Sequence, residues 1–389
     1  MSKLRLLVAL ISLLHSFLPL QAAFSTHSRH CTTRKSLYPL KMASSANEID
    51  STKNDVAGAA RQRGLFFATP LLRSAPMSAL TANEQPVYIK LDVLQASGSF
   101  KDRGVAHLCH TLQTTQGVTH LVSSSGGNAG LAVATAGLQL GMSVAVVVPE
   151  TTKSLVVAKL TSLGAAVTVH GANWNAADVL ARDMVHQDTT GATAYISPYD
   201  NPLLWTGHST LVDEISEELP DKASAAAIVV SVGGGGLLCG VLEGLDRRGM
   251  FTTKVIAAET VGASSFGQAF QKGELVRLEG IDSIATSLGA LEVTPAALER
   301  AAKYQAAGGV VQEAMCTDAE AVHACWQFAQ DHRILVEPAC GAALAVVYSE
   351  RLREQVLKDV TGPIVVEVCG GSGVNVELLS QWKKHFLNN

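Results

Sequence analysis

The stretch Ala227-Ile228-Val229-Val230-Ser231-Val232-Gly233-Gly234-Gly235-Gly236-Leu237-Leu238 decides the fold. Its first six residues form a short, nearly unbroken apolar run, as carried by a strand buried on both faces, and a helix follows from Leu237. Four successive glycines between them let backbone N–H groups converge. The helix start adds the positive end of its dipole, so the turn suits a phosphate. It matches neither G-x-x-x-x-G-K-[ST] nor G-x-G-x-x-G, so neither a nucleoside triphosphate nor a dinucleotide is indicated.

The same alternation extends outward in both directions. Strands are expected at Val87–Leu91, His120–Ser123, Ser143–Val148, Ala166–His170, Ala194–Ile196, Val255–Ala258 and Ile364–Val368. Helical spacing marks Lys101–Gly117, Ala129–Leu140, Lys153–Leu163, Ala176–His186, Ser209–Leu219, Pro295–Ala306, Thr317–Asp331 and Cys340–Arg353. Short buried strands alternating with helices predict an α/β protein with doubly wound parallel sheets. Pro198-Tyr199-Asp200-Asn201-Pro202 is the best crossing between two domains. The division expected is a large domain from residues 61–95 and 203–389 and a small one from 96–202.

The chain has 389 residues and only 16% charged ones, with a net charge of -4. That balance gives no basic field for nucleic acid. Seven widely spaced cysteines, odd in number and without a C-x-x-C pair, read as reduced thiols rather than a disulfide or metal framework. Residues 1–60 differ from the rest. Lys3 and Arg5 precede an apolar run, Leu6–Leu14, too short for a membrane span of roughly 20 residues. Ala22-Ala23-Phe24 offers a cut, and Ser25–Lys41 is rich in Ser, Thr, His and Arg, with no carboxylate before Glu48. This reads as a targeting leader to a mitochondrion or plastid, with Met42 the alternative start of a cytoplasmic form. No membrane partner is expected of the body.

Two further turns join a strand to a helix. Ser123-Ser124-Ser125-Gly126-Gly127-Asn128-Ala129-Gly130 is either a Ser-rich N-cap or a seat for a carboxylate. Cys369-Gly370-Gly371-Ser372-Gly373 puts a thiol at the carboxyl end of a sheet, where open α/β sheets keep ligands. Finally, Ser97-Gly98-Ser99-Phe100-Lys101-Asp102-Arg103-Gly104 places a lysine at a helix start. The dipole there disfavours an ammonium, so a neutral amine suited to imine chemistry is a reasonable reading beside that of a surface lysine.

S-G-S-F-K-D-R-G, S-S-x-G-G-N-A-G, S-V-G-G-G-G-L-L-C-G, V-E-P-A-C-G-A-A-L and V-C-G-G-S together resemble the serine/threonine dehydratases, including the serine dehydratase-like group, of the fold-type II pyridoxal-phosphate enzymes. The likeness runs from Thr69-Pro70-Leu71 to Leu378-Leu379. It implies the two-domain α/β fold of the tryptophan synthase β-like group, a homodimer, and deamination of L-serine and L-threonine to a 2-oxo acid and ammonia. It implies that Lys101 holds pyridoxal phosphate as a Schiff base, between Phe100 and Ala285, with Asn128 on the ring's phenolic oxygen and Cys369 at the pyridine nitrogen. Gly233, Gly234, Gly235, Gly236 and Leu237 would bind the phosphate. Ser125, Gly126 and Asn128 would hold the substrate carboxylate, with Ser125 counted beside Lys101 among the catalytic residues. Glu259 and Ala263 match a region that in relatives holds a monovalent cation such as potassium. Racemases of this fold have serine where this chain has Gly126, so racemisation is not expected. A synthase of the same fold, and a catalytically idle binding relative, are the alternatives.

Overall fold

The computed structural model describes residues 56–387. The targeting readings on residues 1–55 lie outside the described residues. Helix Gly58–Gln62, whose first three residues the sequence reading counted with the leader, is part of the folded body, for Ala57 and Ala60 are buried in its core.

In chain order the strands are β1 Leu71–Arg73, β2 Val87–Lys90, β3 His120–Ser123, β4 Ser143–Val148, β5 Ala166–Val169, β6 Thr193–Tyr195, β7 Ala227–Ser231, β8 Lys254–Thr260, β9 Val310–Cys316 and β10 Ile364–Glu367. The helices that matter are α1 Lys101–Gln116, α2 Asn128–Leu140, α3 Ser154–Ser162, α4 Trp174–His186, α5 Pro202–Glu218, α6 Gly236–Arg248, α7 Ser265–Lys272, α8 Pro295–Ala306, α9 Asp318–His332, α10 Pro338–Tyr348 and α11 Val376–Leu387. A six-stranded sheet has the order β1-β2-β10-β7-β8-β9, and a four-stranded sheet β5-β4-β3-β6. The first draws its strands from residues 71–90 and 227–367, the second from 120–195.

The expected parallel pairing holds throughout the small sheet and over five strands of the large one. It fails at β1, which runs antiparallel to β2 at the edge. Other elements differ from the sequence reading: α7 and α11 were not expected, and α5 begins at Pro202 rather than Ser209. Strand β9 was not anticipated: at the sheet edge it mixes Gln312 and Glu313 with buried Val311, Ala314 and Cys316, so it lacks a continuous apolar run. The helix read over Cys340–Arg353 stops at Tyr348, where Ser349 leaves helical geometry and its hydroxyl caps a new turn. Every residue of α10 is buried, so its apolar positions carry no phase from which a break could be read.

One apolar core runs through both sheets, while a second, beneath α4, joins Val122 and Val147 to Ala177 and Ala181. The six described cysteines are buried and none is in a disulfide. Among the described residues no helix is long and apolar enough to cross a membrane.

Candidate active site

Lys101 is the first residue of α1, after an N-cap, Phe100, that offers no side-chain bond. Its amine donates to the carbonyl of Pro198 at 2.5 Å and lies 4.9 Å from the centre of the Phe100 ring. Burial pushes its pKa down to about 8. The helix behind it is fixed by charge. Arg103, wholly buried, meets Asp92 at 2.6 and 2.7 Å and Glu214 at 2.6 and 2.7 Å. Lys90 adds Glu214 at 2.9 Å and Glu218 at 2.8 Å. Such a network adds little net stability over an apolar core, but it penalises any shift of its members, and Arg103 stands two residues from Lys101.

The glycine turn between β7 and α6 carries the strongest ligand signal. α6 has no side-chain N-cap, and among the described residues no acceptor is recorded for the N–H groups from Gly233 to Leu238. Orphan amides at a helix start are an anion site. Close packing explains the glycines themselves: a Cβ at Gly233 would lie 3.0 Å from the Leu288 backbone, and one at Gly234 2.2 Å from the Tyr199 ring. Gly235 has φ +90°, open to glycine and rarely to other residues.

Cys369 lies two residues past β10, and its carbonyl accepts the Phe100 N–H at 2.9 Å, which ties it to the lysine segment. A hydrogen bond with Cys340, aided by burial, raises the thiol well above its ordinary pKa and keeps it protonated. The Ser125 hydroxyl accepts from the Gly127 N–H at 3.2 Å. Asn128 donates to Glu337 at 2.6 Å and accepts from the Ser372 hydroxyl. Lys101, Phe100, Cys369, the glycine turn and, through Gly370, Asn128 are thus drawn to the facing ends of the two sheets.

Four assigned residues have surroundings the sequence did not foretell. A Cβ at Gly126 would meet Thr152 at 3.1 Å and Val148 at 3.3 Å, toward the end of β4. Ala285 is buried on a segment whose Leu288 packs against Gly233. The Glu259 carboxylate accepts the N–H groups of Phe266 at 2.9 Å and Gly267 at 2.7 Å, at the start of α7, and Ala263 is buried beside it. Among the described residues no cluster of three His, Cys, Asp or Glu side chains is arranged for a metal.

Sequence reasoning missed Glu337, Pro198, Tyr199 and His208. Glu337 is buried, and burial raises its pKa against hydrogen bonds from Ser287, Asn128 and Gly373. A glutamate just before a proline that opens a helix was the available sign. His208 lies with its ring centre 4.9 Å from that of Phe100 and neither ring nitrogen bonded. Its signal in the sequence was none.

An amine with its pKa lowered, orphan amides for one phosphate, and an aromatic ring and a thiol beside the amine suit pyridoxal phosphate. A family model described as pyridoxal-phosphate dependent enzyme matches residues 63–370, and the chain belongs to that family. Within it, the chain is 43% identical over 328 residues to the mouse protein named L-serine dehydratase/L-threonine deaminase, covering 83% of this chain and 97% of the relative. It is 41% identical over 334 residues to the human protein named serine dehydratase-like, covering 85% and 98%. Among solved structures, a fungal L-serine ammonia-lyase from Rhizomucor miehei superposes with a TM-score of 0.76 at 34% identity, over 83% of this chain and 99% of that one. The fold is therefore that of the fold-type II pyridoxal-phosphate enzymes, as the motifs implied.

Proposed function

We propose that this chain deaminates L-serine and L-threonine by β-elimination, releasing pyruvate or 2-oxobutanoate and ammonia. The observation that carries the reading is the desolvated Lys101 amine, held at the Pro198 carbonyl close to Cys369 and the Phe100 ring. The relatives named serine dehydratase support it over the same span.

Pyridoxal phosphate, when bound, supplies the electron sink for the pair left at Cα. Lys101 attaches it, and the same amine, with a pKa of about 8, is suited to take the Cα proton as general base. The N–H groups from Gly233 to Leu237 hold the phosphate. Ser125 and the amides beside it orient the substrate carboxylate. Cys369, a protonated thiol, would face the ring nitrogen without offering it a negative charge, an arrangement that would favour elimination over transamination. Phe100, backed by His208, presents a flat apolar face.

The test is direct. Purified chain with pyridoxal phosphate should release a 2-oxo acid and ammonia from L-serine with no second nucleophile, and Lys101→Ala should not. Release only when a second substrate is added would make it a synthase; turnover in the Lys101→Ala enzyme would end the reading. The family resemblance also supports a homodimer, which sedimentation would check, and the leader composition supports organelle import, which a fusion of residues 1–60 to a fluorescent protein would check.

A further inference from the structure

The turn from Ser123 to Asn128 has few anchors of its own. Within it Ser125 N–H reaches the Ser123 hydroxyl at 3.4 Å, and Gly127 N–H the Ser125 hydroxyl at 3.2 Å, both long. Asn128 ties its far end to Glu337. At its near end the fixed point is Ser124, fully buried, whose hydroxyl donates to Asp178 Oδ1 at 2.7 Å.

Asp178 stands on α4, one residue past Ala177, which packs beneath β3 and β4. The same Oδ1 accepts from the Tyr195 hydroxyl, and Oδ2 accepts from Arg182 Nε at 2.8 Å. The Arg182 guanidinium also lies 4.2 Å from the Tyr195 ring centre. Burial alone would raise the carboxyl pKa, but hydrogen bonds from Tyr195, Arg182 and Ser124 outweigh it and hold it below the usual range. Arg182 balances its charge, so the anchor adds no net repulsion beside an anionic substrate. Arg182 and Tyr195 also line a cavity of about 210 Å³ with Trp174, Ser197, Pro198 and Tyr199, and Pro198 is the residue that accepts from Lys101.

We propose that Asp178 is a positioning residue for substrate binding: by clamping Ser124 to Tyr195 and α4, it fixes the turn that presents Ser125 and its neighbouring amides to the substrate carboxylate. This rests on reading that turn as the carboxylate seat. Asp178 touches neither substrate nor cofactor, so its removal loosens the seat without removing the base.

The experiment compares Asp178→Ala, Asp178→Asn, Ser124→Ala and Ser125→Ala holoenzymes. The readouts are KM and kcat for L-serine, calorimetric binding of glycine (which has no β-leaving group), and absorbance titration with pyridoxal phosphate. In Asp178→Ala, KM and the glycine Kd should each rise tenfold or more while kcat stays within threefold and cofactor affinity within twofold. Asp178→Asn keeps an acceptor for Ser124 and Tyr195 and should hold both constants within threefold of wild type. Unchanged KM and glycine affinity in Asp178→Ala overturn the proposal, as does an equal loss of cofactor affinity, the mark of a merely structural role. Should Asp178→Ala fail to fold, Ser124→Ala decides: a threefold or greater rise in KM supports the clamp, and no rise refutes it. Ser125→Ala separates the two layers. If KM does not rise there, the carboxylate reading itself is wrong; if it rises there and not in Asp178→Ala, only the role of Asp178 falls.

Discussion

Gly104→Ala is the sharpest perturbation of the lysine's position that leaves every chemical group in place. Gly104 lies three residues past Lys101, where α1 crosses α5 with backbone touching backbone. A Cβ at Gly104 would sit 2.5 Å from His208 Cε1 and 2.6 Å from the Leu204 carbonyl oxygen, and one at Gly207 would sit 2.6 Å from Gly104 Cα. Ordinary contact begins at 3.4 Å, so against the 2.6 Å to Leu204 the helices must part by about 0.8 Å. A carbonyl inside a helix has no rotamer to escape into. The cost therefore belongs at the top of the overpacking range, about 3 kcal/mol, which at roughly 2 °C per kcal/mol lowers Tm by roughly 6 °C. A shift of that size at the reacting amine lowers kcat by about tenfold to a hundredfold, because an ångström of misplacement is worth about that much. Gly117→Ala, at the other end of α1, is the control: its φ is +68° and a Cβ meets nothing within 4 Å. It should cost about 1–2 kcal/mol of backbone strain and leave kcat alone. Thermal unfolding of the holoenzyme with steady-state kinetics on L-serine reads both. A Gly104→Ala enzyme melting within 1 °C of wild type at full kcat would refute the claim that this crossing sets the lysine.

Arg103→Met should destabilise by about 3–5 kcal/mol in denaturant unfolding, because it strands the buried carboxylates of Asp92 and Glu214; an effect under 1 kcal/mol would show that the two carboxyls are satisfied without it. Asp102 has its pKa raised to about 6, chiefly by burial, so the protonated form is favoured in the folded state. The stability this gives is complete below the ordinary value of 3.8 and lost as pH rises toward 6, so Asp102→Asn should gain on wild type by up to about 3 kcal/mol between pH 4 and pH 7. A pH-independent difference between the two would refute it. Gly235→Ala forces a side chain onto φ +90° and to 2.8 Å from Val293, opening the phosphate turn; the Kd for pyridoxal phosphate should rise at least tenfold by absorbance titration, and unchanged affinity would place the phosphate elsewhere.

Features local in the chain were legible without coordinates. The strand before Gly233, the glycine turn and the helix after it are neighbours in sequence, and strand burial shows as an apolar run whatever the strand pairs with. The same holds for Lys101 at a helix start and for Cys369 at a strand end. The sequence by itself thus determined the α/β class, most of the buried strands and the residue types of the site. What depends on partners far along the chain did not show. Arg103, Asp92, Glu214 and Lys90 read as ordinary charged positions, since burial of a charge becomes tolerable only where helix and strand bring its counterions within 3 Å. Nothing local to Gly104 or Gly207 shows that their backbones meet. Strand β9 was hidden because an edge strand is buried unevenly. Glu337 and Pro198 reach Asn128 and Lys101 only where the two sheets face each other, and that distance exists in no stretch of sequence. Tertiary structure alone decided these contacts, because hydrogen bonds and desolvation act through space over a few ångströms, while the chain separates their partners by 97 to 209 residues.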